Sequence, residues 1–332
     1  MIFLPVLAVA DLFAAVMESQ QVRSDIEHGM HTGGGDSDGR GDDSGWSMDV
    51  YVINLLHRVD RRSYQEKQLR EAGLLHRTNF IAAVNGRETS QRWMQSRGMA
   101  QMQGWSLDAR NATFVDTLLA SVRSRCGRPA ARKLKYLVRG FWMRPVQPGE
   151  VGCMLSHLHA WERICDKDDG PALVMEDDTR LYPGFRWSLP KYLRVLPPGW
   201  DLLYLIHAPR VPGWYSPPSS GLIGRAEFQD GLQAYVVSAN GACKMARAFD
   251  RQNIVAADEF VPAISAPHLR PDMRALYEPT ISAFACRPAA MQDDPVELVE
   301  QQTQLGGVSC GLVTKSDLHE ASDIEVATKL EL

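Results

Sequence analysis

The sequence contains no C-x-x-C pair: its six cysteines, Cys126, Cys153, Cys165, Cys243, Cys286 and Cys310, are scattered. That spacing argues against a zinc ribbon or a thioredoxin-type site and leaves buried thiols or one or two disulfides. An excess of one charge sign is missing too, and a formal net charge of -4 gives no general pull toward nucleic acid or an anionic membrane. No apolar run is long enough to make a stable membrane span; the opening MIFLPVLAVADLFAAV is short and broken by Asp11. There is no internal repeat, which disfavours a solenoid or propeller. No G-x-S-x-G elbow is present, and Gly231 and Gly241 form no dinucleotide fingerprint.

What remains is a globular composition, 45% hydrophobic and 23% charged over 332 residues, enough for one large domain or two small ones. Ala8-Val9-Ala10 has the small-x-small form of a secretory cleavage site, but the basic segment that should precede it is absent. Residues 31–45, HTGGGDSDGRGDDSG, have almost nothing to bury and read as a flexible linker. Arg40-Gly41-Asp42 within that tract carries little weight. The expected organisation is an apolar segment plus linker over 1–46, a domain over 47–290 and a tail over 291–332.

From Asp49 strand-like and helix-like pieces alternate, the pattern of a mainly parallel sheet covered by helices. VYVINL (50–55) reads as a buried strand and HRVDRRS as the loop after it. A helix is expected over 64–72 with Gly73 as its C-terminal stop. TNFIAAV (78–84) reads as a second strand ending in the turn Asn85-Gly86. After Pro148-Gly149, the residues Val151, Leu155, Leu158, Trp161 and Cys165 recur at helical spacing. ALVM (172–175), LLYLI (202–206) and LQAYVVS (232–238) supply further strands, followed by a helix over 239–249.

The segment 123–144 carries eight basic and no acidic residues, interleaved with Tyr136, Phe141 and Trp142. It is compatible with a nucleic-acid surface, a docking face for an acidic acceptor, or the solvated side of a helix. The overall acidic charge favours the solvated helix, and no nucleic-acid partner is expected.

The chemistry concentrates in PALVMEDDTRLYPGF, where Glu176, Asp177 and Asp178 follow directly on an apolar run. Three adjoining carboxylates at a strand end repel one another unless solvent or a cation compensates them. The crevice outside the carboxyl ends of α/β strands is where ligands bind, so a divalent metal with a phosphorylated ligand is one reading and a solvated acidic turn the other.

Taken in order, VYVINLLHRVDRR, FIAAVNG, GEVGCMLSHLHAWERI, PALVMEDDTRL, WDLLYL and AYVVSANGACKM resemble glycosyltransferase family 25, over about residues 49–290. The later ADEFVPAIS and ISAFACRPAAMQ look more like its procollagen galactosyltransferase branch than its bacterial lipooligosaccharide branch. Those animal enzymes carry two transferase-like domains, whereas this chain has room for one, which puts collagen as the acceptor in doubt. The resemblance implies a GT-A type α/β fold, a mainly parallel mixed sheet flanked by helices with the nucleotide-sugar at its C-terminal edge. It implies transfer of a hexose, galactose from UDP-galactose, to a hydroxyl on a protein or glycan, with inversion and with Mn²⁺ or Mg²⁺. Asp178 would bind the metal, Glu176 would lie toward the ribose, and Asp177 would belong to the same site.

Asn54 and Leu55 at the end of the first strand, Arg58 in the following loop, and Asn85-Gly86 complete the expected donor site, with Arg61 and Arg62 either joining it or solvating the loop. The pair Asp258-Glu259 offers the general base; the competing role for Asp258 is a helix N-cap. His157 is expected as a structural residue behind the site. Two further readings stand beside the enzyme: a catalytically silent protein of the same fold acting in adhesion or scaffolding, and nucleic-acid binding through 123–144. The family implies the endoplasmic reticulum lumen or secretory pathway, which the sequon Asn111-Ala112-Thr113 and the terminal Lys329-Leu330-Glu331-Leu332 fit, with the cytoplasm as the alternative.

Overall fold

The computed structural model describes residues 47–211, 221–226, 228–229 and 231–287, together with the short strands Val308–Ser309 and Val313–Lys315. Met48–Leu332 forms one compact unit. The expected linker over 1–46 and most of the 291–332 tail lie outside the described residues.

β1 (Asp49–Asn54) has every residue from Val50 to Asn54 buried, as its unbroken apolar run requires. α1 (Val59–Glu71) begins five residues earlier than the expected helix, so most of HRVDRRS is helix rather than loop. Two things hold that early turn: Asp60 sits at the positive end of the helix dipole, and Arg61 points inward to a carboxylate. Gly73, at φ 68°, ends the helix as expected, with Leu74 N–H returning to Leu69 carbonyl at 2.7 Å. β2 (Thr78–Ala82) follows, then the short α2 (Gln91–Gln95).

α3 (Ala112–Leu137) is interrupted at Gly127, whose φ of 86° breaks the helical path. It buries Val122, Ala130, Leu134 and Leu137 and exposes Arg123, Arg128, Arg132 and Lys135, the arrangement of a solvated basic face. α4 (Pro148–Lys167) opens on a reciprocal cap between Gln147 and Glu150 with Pro148 in the first turn. Its stripe of Val151, Leu155, Leu158 and Trp161 is buried as the spacing predicted.

β3 (Ala172–Glu176), β4 (Thr179–Leu181), α5 (Phe185–Leu193), β5 (Leu202–Tyr204), β6 (Ile206–His207), β7 (Ile223–Arg225), β8 (Ala234–Val237), α6 (Ala239–Ala248), α7 (Ala257–Ser265), α8 (Pro271–Leu276) and β9 (Ala283–Cys286) complete the unit. The main sheet runs β2-β1-β3-β8-β5-β9-β7. β8 and β7 are antiparallel to the rest, so five of the seven strands point one way. This is an α/β architecture, a mainly parallel mixed sheet flanked by helices, as expected.

Val308–Ser309 pairs antiparallel with β6, and Val313–Lys315 pairs antiparallel with β4. A disulfide between Cys165 on α4 and Cys243 on α6 ties those two helices together, and Cys286 is also disulfide-bonded.

Candidate active site

The strand order creates the site. β1 lies between β2 and β3, so the chain leaves β1 to one side for β2 and returns to its other side for β3. The carboxyl ends of β1 and β3 therefore flank a switch point, where an open α/β sheet leaves a crevice. Asn54 ends β1 and Glu176 ends β3, and the two strands pair in parallel up to Ile53 opposite Glu176.

Across that crevice Asn54 Nδ2 donates to Asp177 Oδ2 at 2.8 Å, and Arg61 Nη1 donates to Asp177 Oδ1 at 2.7 Å. Gln65, one helical turn beyond Arg61, donates to the carbonyls of Asp177 and Thr179 at 3.0 and 2.7 Å. Asp177 is thus the residue that fastens the acidic turn to β1 and α1. Its pKa is raised because burial opposes the charged form; the charge and hydrogen bond of Arg61 and the Asn54 bond work against that rise. Asp178 is equally buried, at 4% exposure, with its Oδ2 at 4.0 Å from Arg61.

Glu176 faces the other way, toward α4. Its Oε1 lies 3.3 Å from His157 Nε2 and 3.8 Å from Cys153 Sγ. His157 Nδ1 is 3.0 Å from the Tyr235 hydroxyl, which also accepts from Trp161 Nε1 at 2.8 Å. Because the Trp161 N–H fills one lone pair of Tyr235, the tyrosine proton turns to His157 Nδ1 and the imidazole presents Nε2–H to Glu176. His157 thus lies behind Glu176 and aims its carboxylate.

Asp258 stands in the first turn of α7, but the N-cap position belongs to Ala256. The capping role considered for Asp258 does not apply. Its charge reaches the same cluster: the Cys153 thiol is pushed up by burial, then by Glu176 and Asp258, with Asp178 contributing as well. The Tyr204 hydroxyl at the end of β5 is pushed up by burial and then by Asp258. Four carboxylates, Glu176, Asp177, Asp178 and Asp258, thus share one region.

Glu259 occupies a different environment from Asp258. It is 1% exposed, and its carboxylate receives Arg210 Nη1 on one oxygen and Trp142 Nε1 and His268 Nε2 on the other, the last two at 3.2 and 2.9 Å. Burial pushes its pKa up, but the Arg210 charge and the His268 and Trp142 hydrogen bonds outweigh that and hold it at about 2. A carboxylate so engaged is a poor proton acceptor.

The remaining candidates lie in the turns that follow β1 and β2. Arg58 spreads its guanidinium over Asp60 with bonds of 3.0 and 2.8 Å, and so holds that carboxyl at about 2. Leu55 carbonyl accepts from Arg58 N–H at 2.8 Å and shapes the turn out of β1. Asn85 bonds to Glu88 and caps a short 3₁₀ turn. Gly86 packs against the N-terminus of α4 so closely that a Cβ would come within 2.4 Å of the Pro148 carbonyl. Gly152 is as tightly placed, since a Cβ there would come within 2.6 Å of the Val84 carbonyl, and Ser156 Oγ accepts from Val84 N–H at 2.8 Å.

Sequence reasoning left Arg61 undecided and missed Gln65, Tyr235 and Cys153. Arg61, Gln65 and Leu69 recur at i, i+4, i+8 and are all buried, a signal hidden because two of the three are polar.

A switch-point crevice lined by carboxylates is a ligand-binding type of site on an α/β sheet. Residues 48–208 match the family described as glycosyltransferase family 25 (LPS biosynthesis protein). It is 26% identical over 229 residues to procollagen galactosyltransferase 1 of Danio rerio, covering 66% of this chain and 32% of the relative. It is 24% identical over 247 residues to procollagen galactosyltransferase 2 of Mus musculus, covering 72% and 34%. A probable inactive glycosyltransferase 25 family member 3 of Bos taurus is 26% identical over 248 residues, covering 72% and 36%. The chain spans about a third of the length of the curated relatives it matches.

Proposed function

We propose that the protein transfers a hexose, galactose from UDP-galactose, to a hydroxyl of a protein or glycan acceptor, with inversion. The observation that carries this reading is the acidic triplet at the switch point, with Asp177 locked to Asn54 and Arg61, Asp178 buried beside it and Glu176 turned toward His157. The donor set suits a hard divalent cation: Asp178 offers carboxylate oxygens, and the region holds more carboxylate than Arg61 alone neutralises. When bound, Mn²⁺ or Mg²⁺ supplies positive charge against the diphosphate as it leaves.

Asp178 is the proposed ligand of that ion. Glu176, aimed by His157, is positioned to accept hydrogen bonds from the donor's ribose. Asn54, Leu55 and the Asn85-Gly86 turn form the floor and wall against which the nucleotide lies, and Arg58 exchanges Asp60 for a phosphate when the donor arrives. Asp258, partly exposed and separate from the triplet, accepts the proton of the acceptor hydroxyl as that oxygen attacks from the face opposite the diphosphate. Glu259 is assigned instead to holding α7 in place through Arg210, Trp142 and His268.

A secretory, lumenal location is supported by the Cys165–Cys243 disulfide, since such bonds persist in oxidising compartments. Among the described residues no helix is long and apolar enough to cross a membrane. A silent member of the family is the alternative, and the bovine relative's name carries that description. Donor turnover across a panel of nucleotide-sugars, with and without Mn²⁺, tests the proposal: metal-dependent release of UDP from UDP-galactose supports it, and no turnover of any donor, with or without acceptor, favours the silent reading.

A further inference from the structure

We infer that Cys153, His157 and Glu176 form a second cation site, with a donor set different from the oxygens of Asp178 and selective for a borderline or soft divalent ion such as Zn²⁺. Cys153 and His157 are one helical turn apart on α4 and share a face, and Glu176 meets them from the end of β3. Their three ligand atoms lie within 4.8 Å of one another.

The separations match a metal's coordination sphere. Zinc bonds of about 2.0–2.1 Å to nitrogen and oxygen and about 2.3 Å to sulfur set neighbouring atoms of a tetrahedron roughly 3.3–3.6 Å apart. Glu176 Oε1 is 3.3 Å from His157 Nε2 and 3.8 Å from Cys153 Sγ, with all three atoms within 4.8 Å of one another, so movement of the thiol toward the imidazole completes three corners. Cys153 and Glu176 are only partly buried while His157 is fully buried, which gives the ion an entrance and a fixed floor.

The outer partner is already in place. Metal-bound imidazoles hold their second nitrogen in a hydrogen bond, and His157 Nδ1 meets the Tyr235 hydroxyl at 3.0 Å. A hydroxyl both donates and accepts, so the imidazole can shift its proton from Nε2 to Nδ1 without losing that partner. Binding releases the thiol proton to solvent, the Nε2 lone pair and the thiolate become ligands, and water fills the fourth corner. Thiolate and imidazole favour Zn²⁺, Cd²⁺ or Co²⁺ over Mn²⁺ and Mg²⁺, the reverse of the all-oxygen preference at Asp178.

The direct test is the visible and near-ultraviolet spectrum of the whole protein titrated with Co²⁺, followed by competition with Zn²⁺. Expected are tetrahedral bands with a thiolate-to-metal transition at one ion per chain, erased by Zn²⁺ and not by Mn²⁺. Cys153→Ser loses the thiolate transition, His157→Gln loses the tetrahedral bands, and both Asp178→Ala and Cys126→Ser keep the full spectrum. An octahedral spectrum without a thiolate transition in the unmutated protein, which requires no variant to fold, overturns the inference. So does loss of the spectrum in Asp178→Ala, which would assign the ion to the acidic triplet. Because the readout is independent of sugar transfer, its failure and the failure of the transferase reading are told apart.

Discussion

Arg61 and Asp177, 116 positions apart in sequence, meet in a buried ion pair at 2.7 Å, each side chain less than a tenth exposed. The pair fixes the turn after β3, which carries Asp178, to the first helix. Arg61→Ala leaves Asp177 buried without its charge partner, a change that costs about 3–5 kcal/mol when a buried pair is broken. The expected outcome is a lowered melting temperature together with weakened metal-dependent nucleotide binding. A variant with an unchanged melting temperature would show that the pair does not hold the turn.

Glu259 carries a prediction about acid. Its pKa in the folded protein, about 2, lies below the usual glutamate value near 4.5, so its ionised form favours folding. That stability is fully present above about pH 4.5 and is lost as the pH falls toward 2. His268, its partner, is pushed down by burial, and its neutral form is fixed by Arg270 N–H donating to Nδ1 at 3.1 Å. Unfolding frees His268 to take up a proton below its ordinary value of 6.5, so this residue also costs stability on acidification, beginning at higher pH. Glu259→Gln should lower the melting temperature at pH 7 and flatten its fall between pH 4.5 and 2, measured by calorimetry. A parallel downward shift at every pH would contradict the assignment.

The two glycines at the α4 contact are expected to resist substitution. In Gly86→Ala the new methyl meets the backbone of Pro148 and Gly149, and in Gly152→Ala it meets the Val84 carbonyl, none of which is a flexible side-chain end. Overpacking of this kind costs roughly 1–3 kcal/mol. Gly98→Ala makes no such contact but sits at a φ of 62°, so it reports backbone strain alone. Chemical denaturation of the three variants should rank Gly86 and Gly152 as the more damaging pair.

Much of the sheet was legible because its strands are buried on both faces and read as apolar runs: ALVM, LLY and AYVV fell where the structure puts strands β3, β5 and β8. The α4 stripe was legible for the same reason, through helical spacing. The first turns of α1 were not, because their inward face is Arg61 and Gln65, polar groups whose burial makes sense only once Asp177 lies opposite them. The acidic triplet was visible as an anomaly, but chain order could not show that Glu176 and Asp177 would point to different partners. Asp258 and Glu259 looked equivalent in sequence and differ entirely in setting, since adjacent residues on a helix face about 100° apart.

That difference separates their expected phenotypes. Asp258→Asn should lower the transfer rate roughly a hundredfold or more while metal-dependent donor binding and melting temperature stay close to normal. Near-normal transfer in a folded Asp258→Asn protein would remove it as the base.

The most direct test of the account is UDP-galactose or UDP binding to Asp178→Ala, measured by calorimetry with and without Mn²⁺ alongside a circular-dichroism check of folding. The prediction is a folded protein in which Mn²⁺ no longer strengthens nucleotide binding, because a scarce hard oxygen ligand has been removed. A folded Asp178→Ala protein whose nucleotide affinity responds to Mn²⁺ as the unmutated protein does would contradict the claim that the acidic turn at the end of β3 is a metal-assisted donor site.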